Sequence, residues 1–294
     1  MSRTLSPSAN RVYGLDRVCR RWCISRATVY RHRRVANRPE APRHRPGPQG
    51  PMPDATLATA IRTLLRDSPF HGEGYRKVWA RLRAAGIRTS PRRVLRVMRE
   101  NGLLAHQRRG PARGPRAHDG TITTDRVDEM WGTDLTTVLT GEGQAAVFIA
   151  VDHCSAECVG IHASHRANRF EALEPIRGSF GGIGQDVATG LKFRHDHGSQ
   201  YMSGDFQKEI RFLGAESSPA FVRAPEGNGC AERFIRTMKE NLLWVRWFET
   251  VEDLRQALLD FQRTYNEEWI IQRHGYRTPA QIRREQTNIT QTAA

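Results

Sequence analysis

The sequence predicts an α/β protein: a mixed five-stranded sheet flanked by helices, preceded by small helical units of helix–turn–helix type. Three observations point there. Residues 1–120 alternate short amphipathic helical stretches with segments rich in Pro, Gly and Arg. Three strand-like runs then follow in succession from about residue 127. Short strands and helices alternate after that, a pattern that builds a sheet covered on both faces.

The helical front divides into two units joined by linkers. In 1–34, Leu15, Val18, Cys19 and Trp22 share one helical face, and Ser25 is placed to cap a second helix reaching about Arg33. That second helix has the position of a recognition helix, with Arg26, Thr28 and Arg31 as candidate base-readers. An ordinary helical hairpin with basic surfaces is the alternative. Residues 35–53 form a basic, Pro-rich linker. In 54–106, helices are expected over Leu57–Arg66, Tyr75–Ala85 and from Ser90 to Asn101-Gly102. Arg92, Arg93, Arg96 and Arg99 line the third of these, and Arg92, Arg93 and Arg96 are candidate DNA contacts. Residues 107–126 form a second basic linker.

The catalytic unit is expected over 127–245, with a helical extension over 246–294. Strands are predicted at Met130–Thr137, Gln144–Asp152, Cys158–His162, Leu191–Arg194 and Gly214–Ser218. Helices are predicted at Asn168–Arg177, Ser203–Phe212, from near Glu232 to Trp244, and at Val251–Thr264.

Charge separates front from rear. The net charge is +15, yet residues 1–120 hold 27 Lys+Arg against 7 Asp+Glu, and the remainder holds 19 against 24. A basic front and a mildly acidic rear suit a polyanion-docking module joined to a catalytic module. Five cysteines at low density fit a reducing compartment. His153, Cys154 and Cys158 have no second pair at zinc-like spacing. The start lacks a signal peptide's apolar core, and no apolar run is long enough to span a membrane.

Three acids stand out by context. Asp134 lies in a strand, where a carboxylate is costly unless paired or bound to a metal. Asp196 follows a short apolar strand and precedes a glycine turn, the strand end where ligands bind in open sheets. Glu232 follows Asn228-Gly229 at a helix start, with 35 residues between it and Asp196. Arg236 and Lys239 share its helical face and could meet a phosphate. Three carboxylates from separate elements suit two Mg²⁺ ions and phosphodiester chemistry. Asp152 competes as a ligand but reads better as a strand-end turn residue. His195 and His197 could bind metal or DNA, or simply position the loop.

On these residues the chain resembles the IS3 family of bacterial insertion-sequence transposases, specifically the second-reading-frame product. Trp131-x-x-Asp134-x-Thr136, Asp196 before Gly198-Ser-Gln-Tyr201, and Glu232 with Lys239 carry the likeness. So does the tail with Tyr265-Asn266 and Tyr276-x-Thr278-Pro279. The resemblance implies a ribonuclease H-like core shared with retroviral integrases, Asp134, Asp196 and Glu232 as catalytic metal ligands, and DNA cleavage and strand transfer. It also implies double-stranded element ends and target DNA as partners, and a homo-oligomer on DNA in the bacterial cytoplasm. The upstream-frame protein would be a possible fusion or partner. Arg194-His195 and Asn228-Gly229 stand where many members have His-Ser and Asp-Asn. The alternatives are a catalytically silent DNA-binding regulator and a purely hydrolytic ribonuclease H-like nuclease.

Overall fold

The computed structural model describes residues 4–36, 52–105, 122–180, 184–220 and 225–293. Most of both expected linkers, 37–51 and 106–121, lies outside the described residues. The chain forms two compact units, Met1–Pro51 and Met52–Ala294.

In the first unit, α1 (Leu15–Arg21) is followed by α2 (Arg26–Ala36). Ser25 caps α2, its Oγ accepting from the Thr28 amide at 3.2 Å. The apolar face expected here is only partly enclosed: Cys19 is buried, but Trp22 is 60% exposed and Tyr30 59%. Two short helices offer too little surface to cover an indole.

The second unit opens with α3 (Asp54–Asp67), α4 (Tyr75–Ala84) and α5 (Pro91–Glu100). Leu57, Ile61, Val78, Leu82, Val94 and Val97 recur at helical spacing and close into one apolar cluster. Ser90 caps α5 through the Arg93 amide at 3.2 Å, and Pro91 fits the first turn.

The sheet has the order β3-β2-β1-β4-β5. Here β1 is Met130–Thr140, β2 is Gly143–Asp152 and β3 is Cys158–Ser164. These run antiparallel, as consecutive strands joined by short turns must. β4 (Lys192–His195) pairs parallel with β1, and β5 (Glu216–Pro219) parallel with β4. The first strand runs past the expected end at Thr137, because Val138, Leu139 and Thr140 continue the pairing.

The helix expected over Asn168–Arg177 is broken. A 3₁₀ turn at Glu171–Leu173 leads into α6 (Glu174–Ser179). Asn168 Oδ1 accepts from the Phe170 and Glu171 amides at 2.9 and 3.1 Å. Pro175 cannot donate to the Glu171 carbonyl, so a continuous α-helix is interrupted there.

β2 divides the core. Ala145, Val147, Ile149 and Val151 face α9 (Gly229–Met238) and α10 (Val251–Glu268). Ala146, Phe148 and Ala150 face α6 and α8 (Gly204–Phe212), with α7 (Ser199–Met202) alongside. Alternation of side chains along the strand dictates this split. α10, from the expected extension, buries Leu254, Leu258 and Phe261 in the same cluster as β2.

The tail braces the sheet before α11 (Pro279–Ala293). Asn266 accepts from the Cys158 amide and donates to its carbonyl, both at 2.9 Å. Arg273 donates to the His153 and Cys154 carbonyls at 3.0 and 2.9 Å. The helical front of this unit docks on the same tail. Phe70 packs edge-on against Trp269, and Lys77 Nζ lies 2.8 Å from the Trp269 ring centre.

Candidate active site

Asp134 pairs across the sheet with Ile149, so its side chain belongs to the face that α9 covers. Along β4, Phe193 joins the opposite core and His195 stacks on Tyr201 there, at 5.5 Å between ring centres. The next residue, Asp196, therefore emerges on the α9 side. Glu232 lies in the first turn of α9. Three chain segments distant in sequence thus present their acids to one side of the sheet.

Electrostatics registers the approach. Burial pushes Asp134 up to about 6, with the charges of Asp196 and Glu232 adding to the rise. A hydrogen bond from the Leu135 amide and the charge of Lys239 act in the opposite direction. Lys239 begins a π-helical turn, Lys239–Leu243, that continues α9. Among the described residues, no group of three or more His, Cys, Asp or Glu stands close enough to hold a metal ion. Coordination by all three acids requires a closer approach than this conformation has.

The loop that carries Asp196 is held by its neighbours. Asp196 Oδ1 accepts from the Gly198 amide at 2.8 Å, and a Cβ on Gly198 would lie 2.4 Å from Gln200 Nε2. His195 braces the loop: Nδ1 donates to the Asp196 carbonyl at 2.7 Å, and Nε2 lies 2.8 Å from Ser217 Oγ. His197 Nε2 donates to the Ala220 carbonyl at 2.7 Å. Both histidines thus fasten the loop. Asp152 is occupied as a turn residue, accepting from Ser155 at 2.6 and 2.7 Å and from the Asp128 amide at 2.9 Å.

The entry to α9 rests on β1 itself. Asn228 Nδ2 donates to the Thr133 carbonyl at 2.9 Å. Gly132 makes the approach possible, since a Cβ there would lie 2.5 Å from Asn228 Oδ1 and 2.8 Å from His153 Nε2. Gly227 lies over the buried Arg194, where a Cβ would fall 2.5 Å from Nη2. Sequence reasoning did not single out Gly132 or assign Asn228 and Arg194 a positioning role. The signal available was a glycine inside a strand, which marks close backbone approach.

The cationic candidates fare differently. Arg236 is exposed and pairs with Glu240 at 3.1 Å. Arg31 and Arg92 are exposed. Arg26 is exposed with Asp16 3.7 Å away, and the Thr28 hydroxyl lies 2.8 Å from Ser25 Oγ within the cap. Arg93 and Arg96, two of the candidate DNA contacts, turn inward onto Asp54 at 2.8 and 2.6 Å. Their bonds, Arg96 foremost, hold the Asp54 carboxyl below its ordinary value. Arg92 and Arg99 are the cations that α5 leaves exposed.

Comparison with known proteins matches this architecture. The HTH-like domain family matches residues 53–111. The integrase core domain family matches residues 124–225 and 214–279, together more than half of the chain. The chain belongs to the integrase core domain family, within the DDE transposase–integrase superfamily. Its function is that of a DDE-type transposase. The transposase is 27% identical over 243 residues to the InsD transposase of insertion element IS2A/D/F/H/I/K of Escherichia coli, covering 79% of each chain. It has the same identity and coverage with the IS2D transposase of strain K12. Among solved structures, the catalytic core of BIV integrase is 19% identical with a TM-score of 0.44, covering 55% of this chain and 98% of that one. An HTLV-2 integrase core in complex with magnesium is 16% identical with a TM-score of 0.41, covering 52% and 95%. Among the described residues, no helix of the transposase is long and apolar enough to cross a membrane.

Proposed function

We propose that the transposase cleaves DNA at the ends of an insertion sequence and joins the exposed 3′-hydroxyl to target DNA. Asp134, Asp196 and Glu232 would hold two Mg²⁺ or Mn²⁺ ions. The observation that carries this is Asp134, half-buried and raised to about 6 with two further carboxylates in its field. Such a cluster opposes its own ionisation and is relieved by a divalent cation. Carboxylate oxygens are the hard donors that these ions prefer.

When bound, the ions would activate the attacking oxygen and stabilise the leaving one. The chain's own residues supply the rest. Asp134 gives up its proton more readily once a cation is near. Gly198 and His195 hold Asp196 at the strand end. Asn228 anchors the start of α9, and so places Glu232. Lys239, two turns along the same face, would pin a phosphate oxygen, with Arg236 beyond it. Water would attack in the cleavage step and a DNA 3′-hydroxyl in the joining step.

The remaining assignments follow from this reading. Residues 1–34 and 54–106 would read and grip the element ends, and 127–245 would house the chemistry. Arg26, Arg31, Arg92 and Arg99 are exposed cations available for DNA contact. A homo-oligomer would bring two ends together in the bacterial cytoplasm, with an upstream-frame protein as fusion or partner.

The test uses labelled element ends with purified protein. Metal-dependent nicking and joining are expected. Asp134→Asn, Asp196→Asn and Glu232→Gln should each abolish both reactions while end binding persists. Unaltered joining by any of these variants would disprove the site. Cleavage without any joining would instead favour a purely hydrolytic nuclease.

A further inference from the structure

Beside the candidate site, Trp244, Val245, Arg246 and Trp247 follow one another and all are exposed, the two indoles by 54% and 55%. They link the Lys239–Leu243 turn to α10. Together with Leu139, itself 63% exposed, and Lys239 they line an open groove of about 550 Å³. Trp247 is held outward by its Nε1, which donates to Glu249 Oε1 at 2.9 Å. Arg246 lies 5.2 Å over the Phe248 ring. Consecutive exposed apolar side chains mark a surface built for contact.

The groove and the acidic site share Lys239, which lines the groove and also acts on the charge of Asp134. Leu139 lies five residues along β1 from Asp134, roughly 17 Å at strand rise. Indole faces beside two cations form the combination that takes up unpaired nucleotides, by stacking on bases and by attraction for phosphates. A second copy packed symmetrically on this groove would bring its own Lys239 and Arg246 into the same interface, placing four like charges together.

We propose that this groove receives unpaired nucleotides of the DNA strand next to the scissile phosphate, with Trp244 and Trp247 stacking on bases and Arg246 meeting the backbone. The proposal rests on the reading that the neighbouring acidic site acts on DNA.

The test measures binding of the full chain in EDTA, by anisotropy, to a blunt duplex and to the same duplex carrying a single-stranded 3′ oligo-dT tail. The wild-type chain is expected to prefer the tailed duplex. Trp244→Ala with Trp247→Ala should cut that preference about tenfold and leave blunt-duplex binding unchanged. Trp244→Phe with Trp247→Phe should retain it, since the stacking face survives. Iodouracil placed in the tail should crosslink to Trp244 or Trp247. An alanine double variant that keeps the full tail preference overturns the proposal. So does one whose only change is altered sedimentation without DNA, which would make the groove a self-association surface. Because this binding is read without metal, failed cleavage with an intact tail preference counts against the catalytic reading alone. Intact cleavage without tail preference counts against the groove alone.

Discussion

Asn228 donates its side-chain amide to the backbone carbonyl of Thr133 at 2.9 Å, one residue before Asp134. The bond ties the start of the helix bearing Glu232 to the strand bearing Asp134. Gly132 leaves the space for it. Gly132→Ala should therefore cost about 1–3 kcal/mol in overpacking. Asn228→Ala should cost roughly 1 kcal/mol for the lost bond. Both should slow metal-dependent cleavage more than they weaken DNA binding. Thermal unfolding and end-cleavage rates, measured on the same preparations, check this. Normal cleavage by Gly132→Ala would show that the contact does not position Glu232.

Asp134 makes stability depend on pH in a defined direction. Its value of about 6 in the folded chain lies above the ordinary 3.8, so protonation favours folding. The penalty is fully present above the folded value and fades as pH falls from 6 toward 3.8. In EDTA, Asp134→Asn should raise the melting temperature near neutral pH, by at most about 2–3 kcal/mol in stability. Around pH 4 the variant and wild type should melt together, to within roughly a degree. Mg²⁺ should stabilise the wild type and not the variant. Scanning calorimetry across this range decides it.

Lys77 gives the opposite sign. Burial lowers its ammonium to about 7 against an ordinary 10.5, with Glu73 opposing the shift. The unfolded chain binds the proton more tightly, so this group's contribution to stability rises as pH goes from 7 to 10.5 and is lost below. The Trp269 ring beneath it, 2.8 Å away, partly supports the charged form. Lys77→Met should flatten the rise in melting temperature over that interval and leave stability at neutral pH equal or higher. A steeper rise in the variant would exclude this account.

The two pairs of arginines on α5 should separate cleanly. Arg93 and Arg96 secure Asp54 at 2.8 and 2.6 Å. Asp54→Ala should cost about 1 kcal/mol of stability, since the pairs are only partly buried. Arg92 and Arg99 are exposed. Their joint replacement by Ala should leave melting unchanged, weaken DNA binding for all sequences alike, and reduce the salt slope by about 2. Binding isotherms at several salt concentrations measure the slope.

Much of the architecture was legible in the residues because its causes are local. Alternation in β2, the caps at Ser25, Ser90 and Ser203, and the glycine turn after Asp196 each act within a few positions. They determined the five strands, most of the helices and the context of each acid. Pro175 is equally local: its missing amide breaks the helix expected over Asn168–Arg177.

What the tertiary structure alone decided involves partners far apart in the chain. Asn228 meets Thr133 across 95 positions, and Arg96 meets Asp54 across 42. Helical periodicity shows that Arg96 shares a face with Arg92 or Arg99 but not which acid lies opposite. Spacing likewise places Glu232 and Lys239 on one side of α9, whereas the face of the sheet that α9 covers follows from packing against β2. The field of Asp196 and Glu232 at Asp134 exists only once that packing is formed, because Coulomb interactions depend on distance in space and not on separation along the chain.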